Sequence, residues 1–324
     1  MRLTSLAVFC ACSTSLGAVG CVGDDTNPAV PAVPDATAPT DATAGDVQVA
    51  PADAAPPPLP IGLLRLANWS SDAPGVDFCI AAHGTTAFTG PLLGQASTQL
   101  DAATLTLSYP HVSAYLQVPP GKYDVRAVVS GAANCATAVG PDLTSPIALS
   151  IGTFATVALI GRAHGGASTP LQIASFVDEG IGGGSAKKVA LRFLNVTSAI
   201  PTADFGTGVA GTSFKPIFTG AAFGASGSIP DAGGADGAVT GDSLGYAVLS
   251  PLASATVSAH ASSSAATDAI VAKGVVIAGG AVVTTALLDS TAVSADGGAT
   301  FQLIQCVDNA GTVGIEGSCG IVAP

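Results

Sequence analysis

Residues 64–78 read LRLANWSSDAPGVDF and residues 191–205 read LRFLNVTSAIPTADF, one phrase stated twice, 127 residues apart. Leu64, Arg65, Asn68, Ser71, Pro74, Asp77 and Phe78 recur as Leu191, Arg192, Asn195, Ser198, Pro201, Asp204 and Phe205, seven identities in fifteen positions without a gap. Each copy runs from an apolar stretch through a polar, proline-bearing turn into a second apolar stretch, the pattern of paired strands.

Working outward, the echo continues in order. VPPGKYDVRA (118–127) returns weakly as SPLASATVSA (250–259), keeping Pro251 and Val257 but losing Gly121 and Tyr123. IGTFATVALI (151–160) parallels GGAVVTTALL (279–288). LQIASFVD (171–178) parallels FQLIQCVD (301–308), with Gln172, Val177 and Asp178 matched by Gln302, Val307 and Asp308. Beginning, middle and end all recur, so the repeating unit is a whole domain, whereas solenoids repeat every 20–50 residues or so. Within the unit, KYDVRAV alternates cleanly: Tyr123, Val125 and Ala127 face one side, Lys122, Asp124 and Arg126 the other. Short strands with Gly/Pro turns predict an all-β chain of two tandem antiparallel β-sandwiches, immunoglobulin- or transthyretin-like, at residues 61–181 and 186–324. IGGGSAKK (181–188) reads as the joint between them.

Composition agrees. Of 324 residues 48% are hydrophobic but only 5% aromatic, and 40 Gly with 22 Pro favour turns over long helices. The net charge of −12 repels nucleic-acid phosphates, so no nucleic-acid partner is expected. Residues 22–60, rich in Pro, Ala and Asp and lacking aromatics, cannot offset their ordering entropy and read as a disordered spacer.

The first twenty residues carry Arg2, a modest apolar run and small residues up to Cys21, the form of an export signal and too short to span a membrane. The AVGC ending resembles the lipobox of bacterial lipoproteins, with Ala18 where leucine is preferred. That resemblance implies a signal peptide over 1–20, cleavage before Cys21, acylation of Cys21 (palmitate or a similar chain), and a lipid-anchored linker over 21–60. An ordinary cleaved signal peptide is the alternative. Of seven cysteines, Cys10 and Cys12 leave with the signal and Cys21 takes lipid. Cys79, Cys135, Cys306 and Cys319 remain, an even set in an exported protein, with three pairings open. Gly206 stands where the second copy would match Cys79, which favours Cys79–Cys135 inside the first copy and Cys306–Cys319 inside the second. No CxxC spacing and no neighbouring histidine suggest a metal among these four.

The string LRxxNxSxDAPxVDF, then PxGxYxVR, a long Val/Ala/Thr strand and a closing VD resembles bacterial domain-of-unknown-function family 4397 over most of residues 61–310. The match is good in the first copy and degraded in the second, where Ala199-Ile200 replace Asp72-Ala73. The resemblance implies tandem modules in secreted, cell-wall or lipid-anchored proteins, with no assigned activity. The whole arrangement also resembles lipoproteins of myxobacteria and related Gram-negative bacteria, which implies outer-membrane anchoring with the domains facing the cell surface or the periplasm.

Chemistry is sparse. Asn68, Trp69, Asp72 and Asp77 form the strongest candidate ligand loop, since one end of a sandwich is where loops bind. The competing reading is structural: turn hydrogen bonds, with Asp77 capping or bridging to Arg65, and Arg65 and Arg192 paired inside their strands. Asp231, Asp236 and Asp242 lie among glycines, but Gly and Ala occupy the third and fifth positions that an EF-hand register needs. His83, His111, His164 and His260 show no metalloprotease spacing, and no nucleophile elbow or phosphate loop occurs. Glu179 and Glu316 are the only glutamates. The expectation is therefore a non-enzymatic envelope module without cofactor, catalytic residue or metal, partnered by membrane lipid through Cys21 and by an envelope protein or glycan. The alternatives are an Asp-dependent hydrolase at the loop end and a calcium-stabilised adhesin.

Overall fold

The computed structural model describes residues 60–95, 106–164, 169–179, 186–230, 240–264, 266–291, 299–308 and 319–323. The leader, Cys21, the spacer, Asp231, Asp236 and most of the 181–188 joint lie outside these residues. The opening phrase folds as β1 (Gly62–Asn68), a turn, and β2 (Val76–Ala82). A four-residue helix, α1 (Leu92–Gln95), comes next, followed by β3 (Leu116–Val118) and β4 (Gly121–Val129). The first half closes with β5 (Leu143–Leu149), β6 (Phe154–Ile160) and β7 (Gln172–Val177). The second half opens with β8 (Val189–Asn195), β9 (Thr202–Thr207) and β10 (Lys215–Ala222), then the short β11 (Ala225–Ser226) and β12 (Thr240–Gly241). It continues through β13 (Tyr246–Leu249), β14 (Leu252–Ala261), β15 (Ile270–Ile277), β16 (Val282–Asp289), β17 (Phe301–Val307) and β18 (Cys319–Ala323). No helix among the described residues is long and apolar enough to cross a membrane.

In the first half, sheet β3-β1-β6-β7 covers sheet β2-β4-β5. In the second, sheet β12-β13-β8-β16-β17-β18, with β11 also on β8, covers sheet β10-β9-β14-β15. The central ladder has the same pattern in both halves. β1 runs parallel to β6 with Arg65 opposite Thr156, and β8 runs parallel to β16 with Arg192 opposite Thr284. These parallel pairs are the departure from an all-antiparallel sandwich. β7 and β17 then pair antiparallel to β6 and β16.

Each half has its own core. Leu64, Leu66, Phe78, Val125, Ala127 and Val157 meet between the first two sheets. Leu191, Phe193, Phe205, Phe218 and Val257 meet between the second two. The strands at the centre are apolar on both faces: β1 and β8 are buried at every residue. Strands read as continuous apolar runs when both sheet faces are covered. What covers the outer faces is a third cluster drawn from both halves. Ala67, Trp69, Ala158 and Ile160 pack with Leu194, Val196, Ala286, Leu288 and Ile304. The central sheets thus lie back to back. Residues Pro57–Pro324 form one compact unit.

The disulfides join Cys79 to Cys135 and Cys306 to Cys319. The first sits with Val128 beneath Phe88, on the far side of β4 from the core. The second ties β17 to the edge strand β18.

Candidate functional site

The four residues of the predicted ligand loop go to different fates. The Asn68 side chain donates to the carbonyls of Pro74 (3.1 Å) and Leu107 (3.0 Å) and accepts from the Ser70 N–H. Asn195 repeats this, donating to the carbonyls of Ile200 and Ala221. Trp69 is 2% exposed, within the cluster between the halves. Asp77 is buried and accepts backbone N–H groups from Phe78, Leu93 and Gly94, so it fastens α1 to β2. Burial pushes its carboxyl above the usual carboxylate range, against the lowering pull of those N–H groups. Asp77 therefore does not bridge to Arg65: it stands in the other sheet of its sandwich, whereas the Arg65 side chain leaves the opposite face of β1. Asp72 alone stays near the surface. It accepts from the N–H groups of Ala163 (2.7 Å) and His164 (2.9 Å), with Arg162 Nε at 3.6 Å.

The two repeated arginines meet between the halves, both buried. Arg65 Nε donates to Thr156 Oγ1 (2.9 Å) in its own half, while its Nη2 reaches Asp308 Oδ1 (2.6 Å) in the other. Arg192 reciprocates. Its Nε donates to Thr284 Oγ1 (3.1 Å) and its Nη2 to Asp178 Oδ1 (2.6 Å) across the interface. The exchange extends to backbone, Arg65 Nη1 donating to the Val307 carbonyl and Arg192 Nη1 to the Val177 carbonyl. Each carboxylate is completed at home: Thr156 (2.5 Å) and Tyr115 (2.9 Å) donate to Asp178, Thr284 (2.5 Å) and Tyr246 (2.7 Å) to Asp308. Arg65 lies over the Tyr115 ring and Arg192 over the Tyr246 ring, 4.9 and 4.6 Å from their centroids. Residue i contacts j and j contacts i, the self-complementary pattern of a two-fold interface, here inside one chain.

Two cations and two anions balance, which is what lets the cluster sit away from water. Desolvation works against both guanidinium charges, but the facing carboxylates outweigh it and hold Arg65 and Arg192 above their ordinary value. Desolvation and the nearby Asp178 push the Asp308 carboxyl up, opposed by the two arginines. Burial likewise pushes the Tyr115 and Tyr246 phenols up, which keeps them neutral donors. The sequence carried a signal for this cluster, since Arg65/Arg192 and Asp178/Asp308 are all repeat identities. Pairing each arginine with a carboxylate from the far end of the other repeat needed the fold.

Farther out in the second half, His260 is buried, its Nε2 3.7 Å from Asp204 and its Nδ1 3.8 Å from Asp268, with the Phe214 ring edge-on. Asp204 meanwhile accepts from the Gly220 N–H and the Ser262 hydroxyl. Among the described residues no three His, Cys, Asp or Glu side chains converge to hold a metal ion.

Residues 62–206 match the family described as "Domain of unknown function (DUF4397)", just under half of the chain, covering the first half together with β8 and most of β9. The match supports the resemblance carried by the LRxxNxSxDAPxVDF and PxGxYxVR strings. No curated protein matches the chain. Among solved structures, "The Bacillus anthracis TIE protein" is similar at 12% identity, covering 81% of this chain and 48% of that one, with a TM-score of 0.19. The chain thus spans about half the length of that protein, and the likeness carries no argument about fold or function.

Proposed function

We propose that the protein is an exported envelope module, lipid-anchored through Cys21, in which two copies of one β unit are joined back to back and act by binding or coating rather than by catalysis. The observation that carries this reading is where the repeated polar residues go. Arg65, Arg192, Asn68, Asn195, Asp178 and Asp308 are each no more than 2% exposed and are spent on structural bonds. Water and substrate do not reach these six positions, which argues against a reaction that both copies would run on them. Of the other shared carboxylates, Asp77 is spent on the start of α1 and Asp204 accepts from Gly220 and Ser262. Two disulfides in a 5% aromatic, glycine-rich chain suit the oxidising compartments beyond the inner membrane. A net charge of −12 suits a partner other than nucleic acid.

The test is protease accessibility on intact cells, with tagged wild type beside Cys21→Ala. The anchored reading expects wild type in the membrane fraction and the variant released. Shaving of wild type on intact cells assigns the surface face, and protection until the outer membrane is broken assigns the periplasmic face. A Cys21→Ala protein that stays membrane-bound like wild type contradicts anchoring at this cysteine.

A further inference from the structure

One end of the first sandwich holds a cavity of about 860 Å³ that the interface between the halves does not use. Its walls come from the β1–β2 turn (Asp72, Pro74), the β4–β5 loop (Val139, Gly140), the segment after β6 (Arg162, His164) and the start of β7's approach (Leu171). Most of that lining is aliphatic. Gly140, at φ +84°, lets the loop close down on Leu171: a Cβ there would come within 2.9 Å of Leu171 Cδ2.

The polar side of the cavity is asymmetric. The Asp72 carboxylate is already committed, gripping two backbone N–H groups and a Ser70 hydroxyl. Burial raises its carboxyl, but those N–H bonds and the Arg162 charge outweigh burial and hold it below its usual range, so it stays ionised. The nearest Arg162 nitrogen to it is Nε, at 3.6 Å, beyond hydrogen-bond distance. The side chain is half exposed, and the terminal fork makes no hydrogen bond among the described residues. Asp72 thus lies beside a guanidinium whose two outer nitrogens have no hydrogen-bond partner among the described residues and which borders an aliphatic wall. The His164 ring, Nδ1 4.0 Å from the same carboxylate, adds a second cationic group when protonated. In the second half Ala199 and Ser290 take the places of Asp72 and Arg162, so the arrangement belongs to the first half alone.

We infer that this cavity binds an aliphatic carboxylate, its carboxylate on the Arg162 fork and its hydrocarbon body against Pro74, Val139 and Leu171. A planar fork beside an apolar wall is the pairing that recognises such a group bidentately. The inference rests on the binding-module reading above and supplies that module's ligand class. Two sources share this chemistry, a free aliphatic acid and the carboxyl terminus of a chain ending in an aliphatic residue.

The experiment is a titration of the ¹⁵N-labelled protein with hexanoate, N-acetyl-leucine, hexanol and glucuronate, on wild type, Arg162→Gln and the control Lys215→Gln, an exposed cation of the second half. Expected are saturable shifts at Gly140, Ala163 and Leu171 with hexanoate or N-acetyl-leucine. The stronger of the two names the source. Arg162→Gln, with an unchanged melting midpoint, should weaken that binding roughly tenfold, and Lys215→Gln should leave it as it was. Shifts as large with hexanol, tighter binding of glucuronate, no shifts at all, or no loss in Arg162→Gln would each overturn the inference. These outcomes are read on purified protein and are distinct from failure of the membrane-release test.

Discussion

Asp72 and Asp289 fasten the same corner of the two halves from opposite sides. In the first half the carboxylate sits in the β1–β2 turn and grips the N–H groups of Ala163 and His164, just past β6. In the second half the turn offers Ala199 instead, and the carboxylate has moved to Asp289 at the end of β16. From there it accepts from the Thr197 hydroxyl and from the Ser198 N–H (3.1 Å) and hydroxyl (2.6 Å) of the turn. The bond survives with donor and acceptor sides exchanged. The interface ions show the contrary behaviour, since Arg65/Arg192 and Asp178/Asp308 are identical in both halves and share the exchanged bonds, Arg65 to Asp308 and Arg192 to Asp178, although Arg65 also reaches Asp178 in its own half at 3.4 Å. A contact closed inside one half can be rebuilt locally. A contact whose two ends lie in different halves has to match a partner that is itself a repeat, so neither end can drift alone.

That difference can be broken most forcefully at the interface. Arg65→Met and Arg192→Met each leave a buried carboxylate without its counter-charge and should cost about 3–5 kcal/mol in denaturant unfolding. Both losses should fall in that range, because each change removes one ion pair across the halves and one bond to a backbone carbonyl of the other half. Arg65→Met combined with Asp308→Leu should cost much less than the sum of the single changes, the coupling that a double-mutant cycle reads.

The disulfides sharpen the comparison next. Closing 56 residues, the Cys79–Cys135 bridge should contribute about 4 kcal/mol by the chain-entropy relation, and Cys306–Cys319, closing 13, about 3 kcal/mol. Paired Cys→Ala variants compared by thermal melts measure both. Equal losses would argue that local strain, and not loop length, sets these contributions.

The smallest effects belong to the corner bonds. Asp72→Ala and Asp289→Ala should each cost about 1–2 kcal/mol, the range for charge-assisted hydrogen bonds near the surface. The Asp72 loss should also depend on pH. Its native carboxyl titrates below the ordinary value, so its contribution is complete above about pH 4 and disappears as pH falls through the lowered native value. Wild type and Asp72→Ala should differ at pH 7 and converge in acid. A difference that persists at low pH would mean the turn is held by something other than the ionised carboxylate.

Much of this architecture was legible in the chain. The doubled phrase placed β1, β2, β8 and β9, the KYDVRAV alternation placed the core face of β4, and the lone Cys79 against Gly206 separated the two disulfides. Three things were not legible, each for a physical reason. KPIFTGAA, now β10, carries Pro, Gly and a charge, and its β-structure comes from pairing with β9 rather than from propensity. Asp77 reads as a cap or as a bridge to Arg65, and the phrase cannot choose: successive strands enter different sheets, so it caps α1 and does not bridge. Trp69 reads as a core residue or, if exposed at a loop tip, a ligand-stacking one; the structure buries it, but against the other half. The period-two pattern marks one face of a strand as buried, and nothing local says that the other face is covered by a sheet of the other half.

The central claim is that the exchanged ion pairs weld the two halves into one cooperative unit, and calorimetric unfolding of the protein tests it most directly. The account expects a single transition whose calorimetric and van't Hoff enthalpies agree, as for one two-state unit. Two resolved transitions, with Arg65→Met leaving the midpoint of the second unmoved, would contradict it.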